Sequence, residues 1–218
     1  SLTLNGTGVS SAGALTNSSS TTATYAGLIT LGNASSIVGS SGAITISNTG
    51  TITGSGLGLT LGGTYGGSIA SIIGTGTGGV TKSGSGTWTL TGANTYTGAT
   101  TISAGTYNIS NAASLPSGSS IAVSSGATLD LNGQSISNLL TLNGTGLSSA
   151  GAIINSNATA ATASGNITLG SNTSIGGTNA ITLSGIIDDG VNTYAITKVG
   201  AGTTTLTGAN TYGGDTTI

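Results

Sequence analysis

The sequence predicts an all-β chain wound into a solenoid. Three features carry that prediction: a composition hostile to helix, a period of two in short apolar runs, and an internal repeat that shortens by a fixed length of chain. The 218 residues include 41 Gly and one Pro, with no Cys, Met, Phe or His. Glycine costs about 1 kcal/mol per helical site relative to Ala, and Ser, Thr and Asn are also poor helix formers. The only charged side chains are Lys82, Lys198, Asp130, Asp188, Asp189 and Asp215, giving a net charge of -2. Disordered chains often pair low hydrophobicity with high net charge. Here 35% of residues are apolar and the charge is near zero, so an ordered chain is expected.

Strands are read from apolar residues that alternate with Thr, Ser or Ala. Leu2-Thr3-Leu4, Ile29-Thr30-Leu31, Ile44-Thr45-Ile46, Leu59-Thr60-Leu61, Trp88-Thr89-Leu90, Ile121-Ala122-Val123 and Leu140-Thr141-Leu142 all follow this pattern. A period of two places one set of side chains on an inner face and the other outside. Clusters of Gly, Asn and Ser between the runs suit turns, and a spacing of roughly 8 to 15 residues leaves no room for crossover helices.

The internal repeat separates a solenoid from a sandwich. Leu2 to Gly8 returns as Leu140 to Gly146, an offset of 140 − 2 = 138, and Ile29 to Gly32 returns as Ile167 to Gly170 at the same offset. Leu90 to Tyr96 returns as Leu206 to Tyr212, where the offset is 206 − 90 = 116. The second copy has therefore lost 138 − 116 = 22 residues, most of them between Ser47 and Thr81 of the first copy. A stack of coils tolerates the loss of one whole coil, because each unit contacts only its neighbours. Residues 1–138 are read as one long repeat and residues 139–218 as a partial second repeat, one coil shorter. At about 22 residues per coil the chain makes roughly ten coils, a rod of about 50 Å at the spacing of adjacent strands.

Stacking explains the composition. Inward Leu, Ile and Val pile on one another while each backbone pairs with the coils above and below. Outward Thr and Ser favour strands, and like residues in a column suffer no charge repulsion. Asn suits ladders at the corners, where its amide can bond along the column.

The run Lys82 to Tyr107 resembles the autotransporter-associated β-strand repeat of bacterial passenger domains. It carries Lys82, Gly84, Gly86, Trp88, Leu90, Gly92, Asn94, Tyr96, Gly98 and Thr100-Thr101-Ile102, followed by Gly105-Thr106. A second copy keeps Lys198, Gly200, Gly202, Leu206, Gly208, Asn210, Tyr212, Gly214 and Thr216-Thr217-Ile218. It departs by placing Thr204 where the first copy has Trp88, and Asp215 where it has Ala99. The resemblance implies a right-handed parallel β-helix, export across the outer membrane of a Gram-negative bacterium, and display on or release from the cell surface. In that family the repeat is linked to passenger secretion and carries no catalytic residues. The motif residues are accordingly expected to be structural. Ser1 and Ile218 both fall inside repeat units, so the chain is expected to be an excerpt of a longer repeat protein. No run of about 18 apolar residues exists, so no transmembrane helix is expected.

Candidate chemistry is thin. A hydrolytic triad needs a base for its nucleophile, and the chain has neither His nor Cys. Asp188 and Asp189 are adjacent and precede Gly190, a turn pattern more than a carboxylate pair facing one bond. Calcium sites take six to eight oxygens, usually with several carboxylates, and Gly213-Gly214-Asp215 lacks the nonapeptide series of calcium β-rolls. Gly74 to Gly79 matches Gly-x-Gly-x-x-Gly but is followed by no helical pattern. Two lysines neutralise too few phosphates for nucleic acid. No catalytic residue, cofactor or metal is expected.

Two roles fit what is left. One is a secreted rod, stalk, filament or adhesin segment, associating with its own copies end to end or side by side and carrying any receptor contact, to a host or surface glycan or protein, elsewhere. The other is a Thr-rich binding face for ice or glycan, built on Thr87-Thr89-Thr91 and Thr203-Thr205-Thr207, with Trp88, Tyr96, Tyr107, Tyr194 and Tyr212 as stacking rings. Core filling is the competing account of those rings, because Trp88 shares its parity with Leu90. With so little to titrate, the melting temperature should change little from roughly pH 3 to 9.

Overall fold

The computed structural model describes residues 1–218. It is a parallel β-solenoid of about nine turns, about 22 residues apart. All its strand pairings are parallel. The only helical pieces are three single 3₁₀ turns, at Val9–Ser11, Ala112–Ser114 and Leu147–Ser149.

Each turn has three faces, which the register defines as columns of inward residues. On the first face Leu2 pairs with Ile29, and Ile52 pairs with Ile73. The second face runs Leu59, Val80, Thr100, Ile121, Leu140, Ile167 and Ile187. The third runs Ala23, Ile44, Gly67, Trp88, Tyr107, Leu129, Ile153, Ile175 and Lys198. The alternation has its expected consequence: Ile44, Ile46, Leu59, Leu61, Ile121 and Val123 are buried, while Thr45, Thr60 and Ala122 between them face outward. A single core cluster of 38 buried apolar residues runs the length of the rod.

Most steps between turns are close to the predicted length, as in 80 − 59 = 21 and 140 − 121 = 19 on the second face. Two are longer. Leu2 to Ile29 and Leu140 to Ile167 both take 27 residues, and each carries a loop with a 3₁₀ turn, Val9–Ser11 or Leu147–Ser149. The two loops share backbone geometry, including Ser10 and Ser148, both at φ 50°.

The long repeat does not return to the face on which it began. Leu2 stands on the first face with Ile29, whereas its counterpart Leu140 stands on the second with Ile121. Leu15 pairs with Ile37 on the second face, and its counterpart Ile153 pairs with Leu129 on the third. One repeat is thus six turns and one face. The same one-face shift separates Lys82, on the second face beside Leu61 and Ile102, from Lys198, on the third beside Ile175. The 22 residues missing from the second copy therefore amount to a whole turn, since a partial turn would have changed that shift.

The first face has one interruption. Its ladder stops after Ile72–Gly74 and resumes at Ser135–Ile136, which begins a separate sheet continued by Ala161–Ala163, Ile181–Leu183 and Thr204–Leu206. Across the gap, side chains replace part of the ladder. Asn94 donates through Nδ2 to the Ser114 carbonyl at 2.7 Å, and Asn138 donates to the Pro116 carbonyl at 2.8 Å.

Candidate functional site

Lys82 lies on the inner side of its strand, where the period of two leads one to expect Leu or Ile. It is fully buried. Its ammonium donates to three carbonyls, Ser83 at 2.9 Å, Gly84 at 2.7 Å and Ala104 at 2.8 Å, so each N–H has an acceptor. Ala104 belongs to the following turn. Burial depresses the lysine pKa from 10.5 to about 8.

Asn94 binds in both directions along the rod. Its Oδ1 accepts from the Ile73 N–H of the preceding turn at 2.7 Å, while Nδ2 reaches Ser114 of the following one. Tyr96 shares a 2.7 Å hydrogen bond with Thr100 Oγ1 around the corner between the first and second faces. Trp88 packs between Gly67 and Tyr107, with Nε1 donating to the Gly62 carbonyl at 2.9 Å. The rings of Trp88, Tyr96 and Tyr107 are all fully buried and offer no surface to a sugar. Burial pushes the Tyr96 hydroxyl above its ordinary pKa against the opposing hydrogen bond from Thr100. It pushes Tyr107, whose hydroxyl has no partner and lies near that of Tyr96, well above.

The glycines of the motif complete the pattern. A Cβ at Gly92 would come 2.2 Å from the Ser71 carbonyl oxygen of the turn beneath, and one at Gly208 would come 2.1 Å from that of Gly185. At Gly84, Gly86, Gly98, Gly200, Gly202 and Gly214 a Cβ would come within 2.6 Å of the backbone of the preceding turn. Each motif thus sits on the turn below through bare backbone. The first copy also grips the turn above through Lys82 and Asn94. Leu90 and Ile102 are buried between these contacts.

The second copy repeats the geometry one face further round. Tyr212 and Thr216 Oγ1 are 2.7 Å apart, and Asn210 Oδ1 accepts from the Ile187 N–H at 2.9 Å. Lys198 Nζ donates to the Gly200 carbonyl. Thr204, in the place of Trp88, stacks on Ile181, and its buried hydroxyl has no partner. Leu206 is half-buried and Ile218 is exposed.

The other sequence candidates fall apart spatially. Asp130 is buried and holds the neighbouring backbone and side chains, accepting from Asn108 Nδ2 at 2.9 Å and Asn132 N–H at 2.9 Å. Asp188 points outward to Thr211, whereas Asp189 points inward and accepts from the N–H groups of Tyr194 and Gly213. The Thr87-Thr89-Thr91 triplet is on the third face beside Thr106, Asn108 and Ser110, while Thr203-Thr205-Thr207 is on the first. They form no common array. What does stack are columns one residue wide: Thr60, Thr81 and Thr101 on the second face, interrupted by Ala122 and resumed at Thr141 and Thr168; Thr3, Thr30 and Thr53 on the first; and Thr162, Thr182 and Thr205 in the separate sheet.

One concavity was not legible in the sequence. Where the first-face ladder is interrupted, a groove of about 490 Å³ opens between Asn94–Thr97, the 3₁₀ turn with Leu115–Ser117, and Ser135–Asn138. Its apolar lining includes Ala112, Ala113, Pro116 and Ile136, and none of its lining residues is charged. Its origin is the short turn at Ala112–Ser114, which no alternation pattern announces.

Two stretches, residues 80–106 and 196–218, match the family model described as a passenger-associated-transport-repeat. They are the two motif copies just described, and together they cover well under half of the chain. No curated protein and no solved structure matches the chain. Two such repeats within a β-solenoid fit a structural segment of an autotransporter passenger domain, a family that implies an extracellular or cell-surface protein. No helix is long and apolar enough to cross a membrane, which says nothing of strands.

Proposed function

We propose that this chain is a non-catalytic rod segment of a secreted passenger, and that each transport repeat acts as a fastener between successive turns. One observation carries this reading. In the first copy the lysine and the asparagine are committed to neighbouring turns, Lys82 and Asn94 above and Asn94 below, and what the motif shows to solvent is Ser and Thr hydroxyls. A rod of this kind holds whatever lies beyond it at a fixed distance from the cell surface. Its fastened turns favour orderly stacking after passage across the outer membrane.

The experiment compares two internal deletions. Removal of residues 59–79 takes out one turn and joins Gly58 to Val80, preserving the three-face register; removal of residues 59–71 leaves the faces out of phase. The first should fold as a rod about 5 Å shorter by small-angle scattering and still reach the surface when carried by a translocating barrel. The second should lose cooperative unfolding and surface display. Equal surface levels for both would overturn the fastener reading, and hydrolysis of a polysaccharide or peptide by the purified chain would overturn the non-catalytic one.

A further inference from the structure

The apolar pattern of the rod does little to fix how one turn sits on the next. Sliding a strand by two residues keeps every apolar side chain inside, because the alternation has a period of two. Turn length does not forbid such a slip. Successive steps on the second face are 80 − 59 = 21, 100 − 80 = 20 and 140 − 121 = 19 residues, so the Gly-rich corners absorb a difference of two without loss of the face. Leu61, Ile102 and Val123 share one inward column, are all fully buried, and could each take another's place. Lys82, between Leu61 and Ile102, is the exception in that column.

Its ammonium reads the turn above in two ways. Two of its N–H groups go to the Ser83 and Gly84 carbonyls, which travel with it, and the third goes to the Ala104 carbonyl of the next turn at 2.8 Å. A Cβ at Gly105, whose φ is 68°, would come 2.6 Å from Lys82 Nζ and 2.5 Å from the Gly84 and Gly86 carbonyl oxygens, so that place leaves no room for a side chain. Sliding the upper turn by two residues brings Ser103 or Tyr107 there and takes the Ala104 carbonyl away, stranding a buried N–H. Stability does not account for the arrangement. Burial holds the lysine pKa at about 8 against 10.5 in the unfolded chain, so at neutral pH the charge weakens the folded rod. An apolar residue of similar length would fill the site without that penalty.

We propose that Lys82 is a register lock: it singles out one stacking of residues 100–105 on residues 80–86 from the slipped alternatives that the apolar pattern tolerates, while lowering the stability of the rod. A buried polar residue that fixes the register of a coiled coil acts in the same way. The inference deepens the fastener reading and rests on it, yet the two can fail separately. The deletions described above read whether phased turns are needed for surface display, whereas the lock concerns the register that intact turns adopt.

The test is disulfide trapping in the 218-residue chain, which has no Cys of its own. Thr81 and Thr101 are ladder partners on the outer side of the second face. Their Cα atoms, about 4.8 Å apart, suit a disulfide, whereas Thr81 lies about 8 Å from Ala99 and from Ser103, beyond reach unless the turn slips. Each pair is replaced by Cys, in the parent and in Lys82→Met, and the chains are refolded from urea in an oxidising glutathione buffer. In the parent only T81C/T101C should close. In K82M the T81C/A99C or T81C/S103C pair should close several-fold more than in the parent, while the melting temperature at neutral pH equals or exceeds that of the parent. Leu61→Met changes the inward residue beneath without touching the carbonyl cage and should behave as the parent does. Native pairing alone in K82M overturns the proposal and leaves Gly105 to set the register. A K82M chain that melts lower or fails to fold shows a stabilising contact and overturns it, and slipped pairs in L61M overturn it because any change in the core would then loosen the register.

Discussion

The two copies of the transport repeat share nearly every local contact yet differ in what surrounds them. In both, Tyr and Thr are 2.7 Å apart across a corner and Asn accepts from the N–H of an Ile in the turn beneath. Only the first has Trp88 in the core and Lys82 and Asn94 gripping a turn above. The downward half of the motif is a local property of its sequence. The upward half needs a turn stacked above, which within residues 1–218 only the first copy has. The second copy is also turned by one face while keeping its Tyr–Thr contact and its Asn bond to the turn beneath, so those two contacts do not depend on the face on which they sit.

The largest test of that division is the glycine contact. Gly92→Val drives a side chain into the Ser71 backbone in the middle of the stack and should cost more than about 4 kcal/mol, read from urea unfolding. Gly208→Val makes the same clash at the last turn, where detaching that turn relieves it, so its midpoint should move far less. Equal losses would show that the turns unfold as one unit.

Next comes the substituted ring. Trp88→Ala empties a fully buried site and should cost about 3–5 kcal/mol. Thr204→Val at the matching position removes an unpartnered buried hydroxyl and should leave the urea midpoint within about 1 kcal/mol of the parent, on the stable side. Asn94→Ala should cost about 2–3 kcal/mol, because it strands the Ile73 N–H and the Ser114 carbonyl; Asn210→Ala, with one such bond, should cost about half that.

The smallest expected difference is in pH dependence. Lys82 titrates near 8 when folded and at 10.5 when unfolded, so between these values the unfolded chain binds more protons and stability rises with pH. Tyr96 and Tyr107, raised by burial, hold protons that the unfolded chain releases from about pH 10 upward, so stability then falls. Melting temperature should pass through a maximum near pH 10. Lys82→Met should abolish the rise but not the fall, and a rise that persists in K82M would assign it to another group. This sharpens the flat profile expected from composition, which ignored where the lysine sits.

The strands and the lost turn were legible in the sequence because both are periodic: alternation sets the inner face, and 138 − 116 = 22 residues measures a coil. The one-face rotation was not, because it requires knowing how many strands make a turn. Lys82 was recognised as a motif position but not as a core residue, since a charge is stable there only through three carbonyls, two from the residues that follow it and one from the next turn. The groove escaped notice because it depends on one short 3₁₀ turn.

The fraction of a turn by which one repeat overshoots has a geometric consequence for any array of such units. Marks borne at equivalent positions do not line up along one side; they climb the rod on a single screw with three repeats to each full turn. A partner approaching from one direction meets the same feature again only after three repeats, so adjacent sites are out of each other's reach while the rod as a whole presents them all round. Losing a turn of three strands shortens the pitch of that screw and leaves its angular step unchanged.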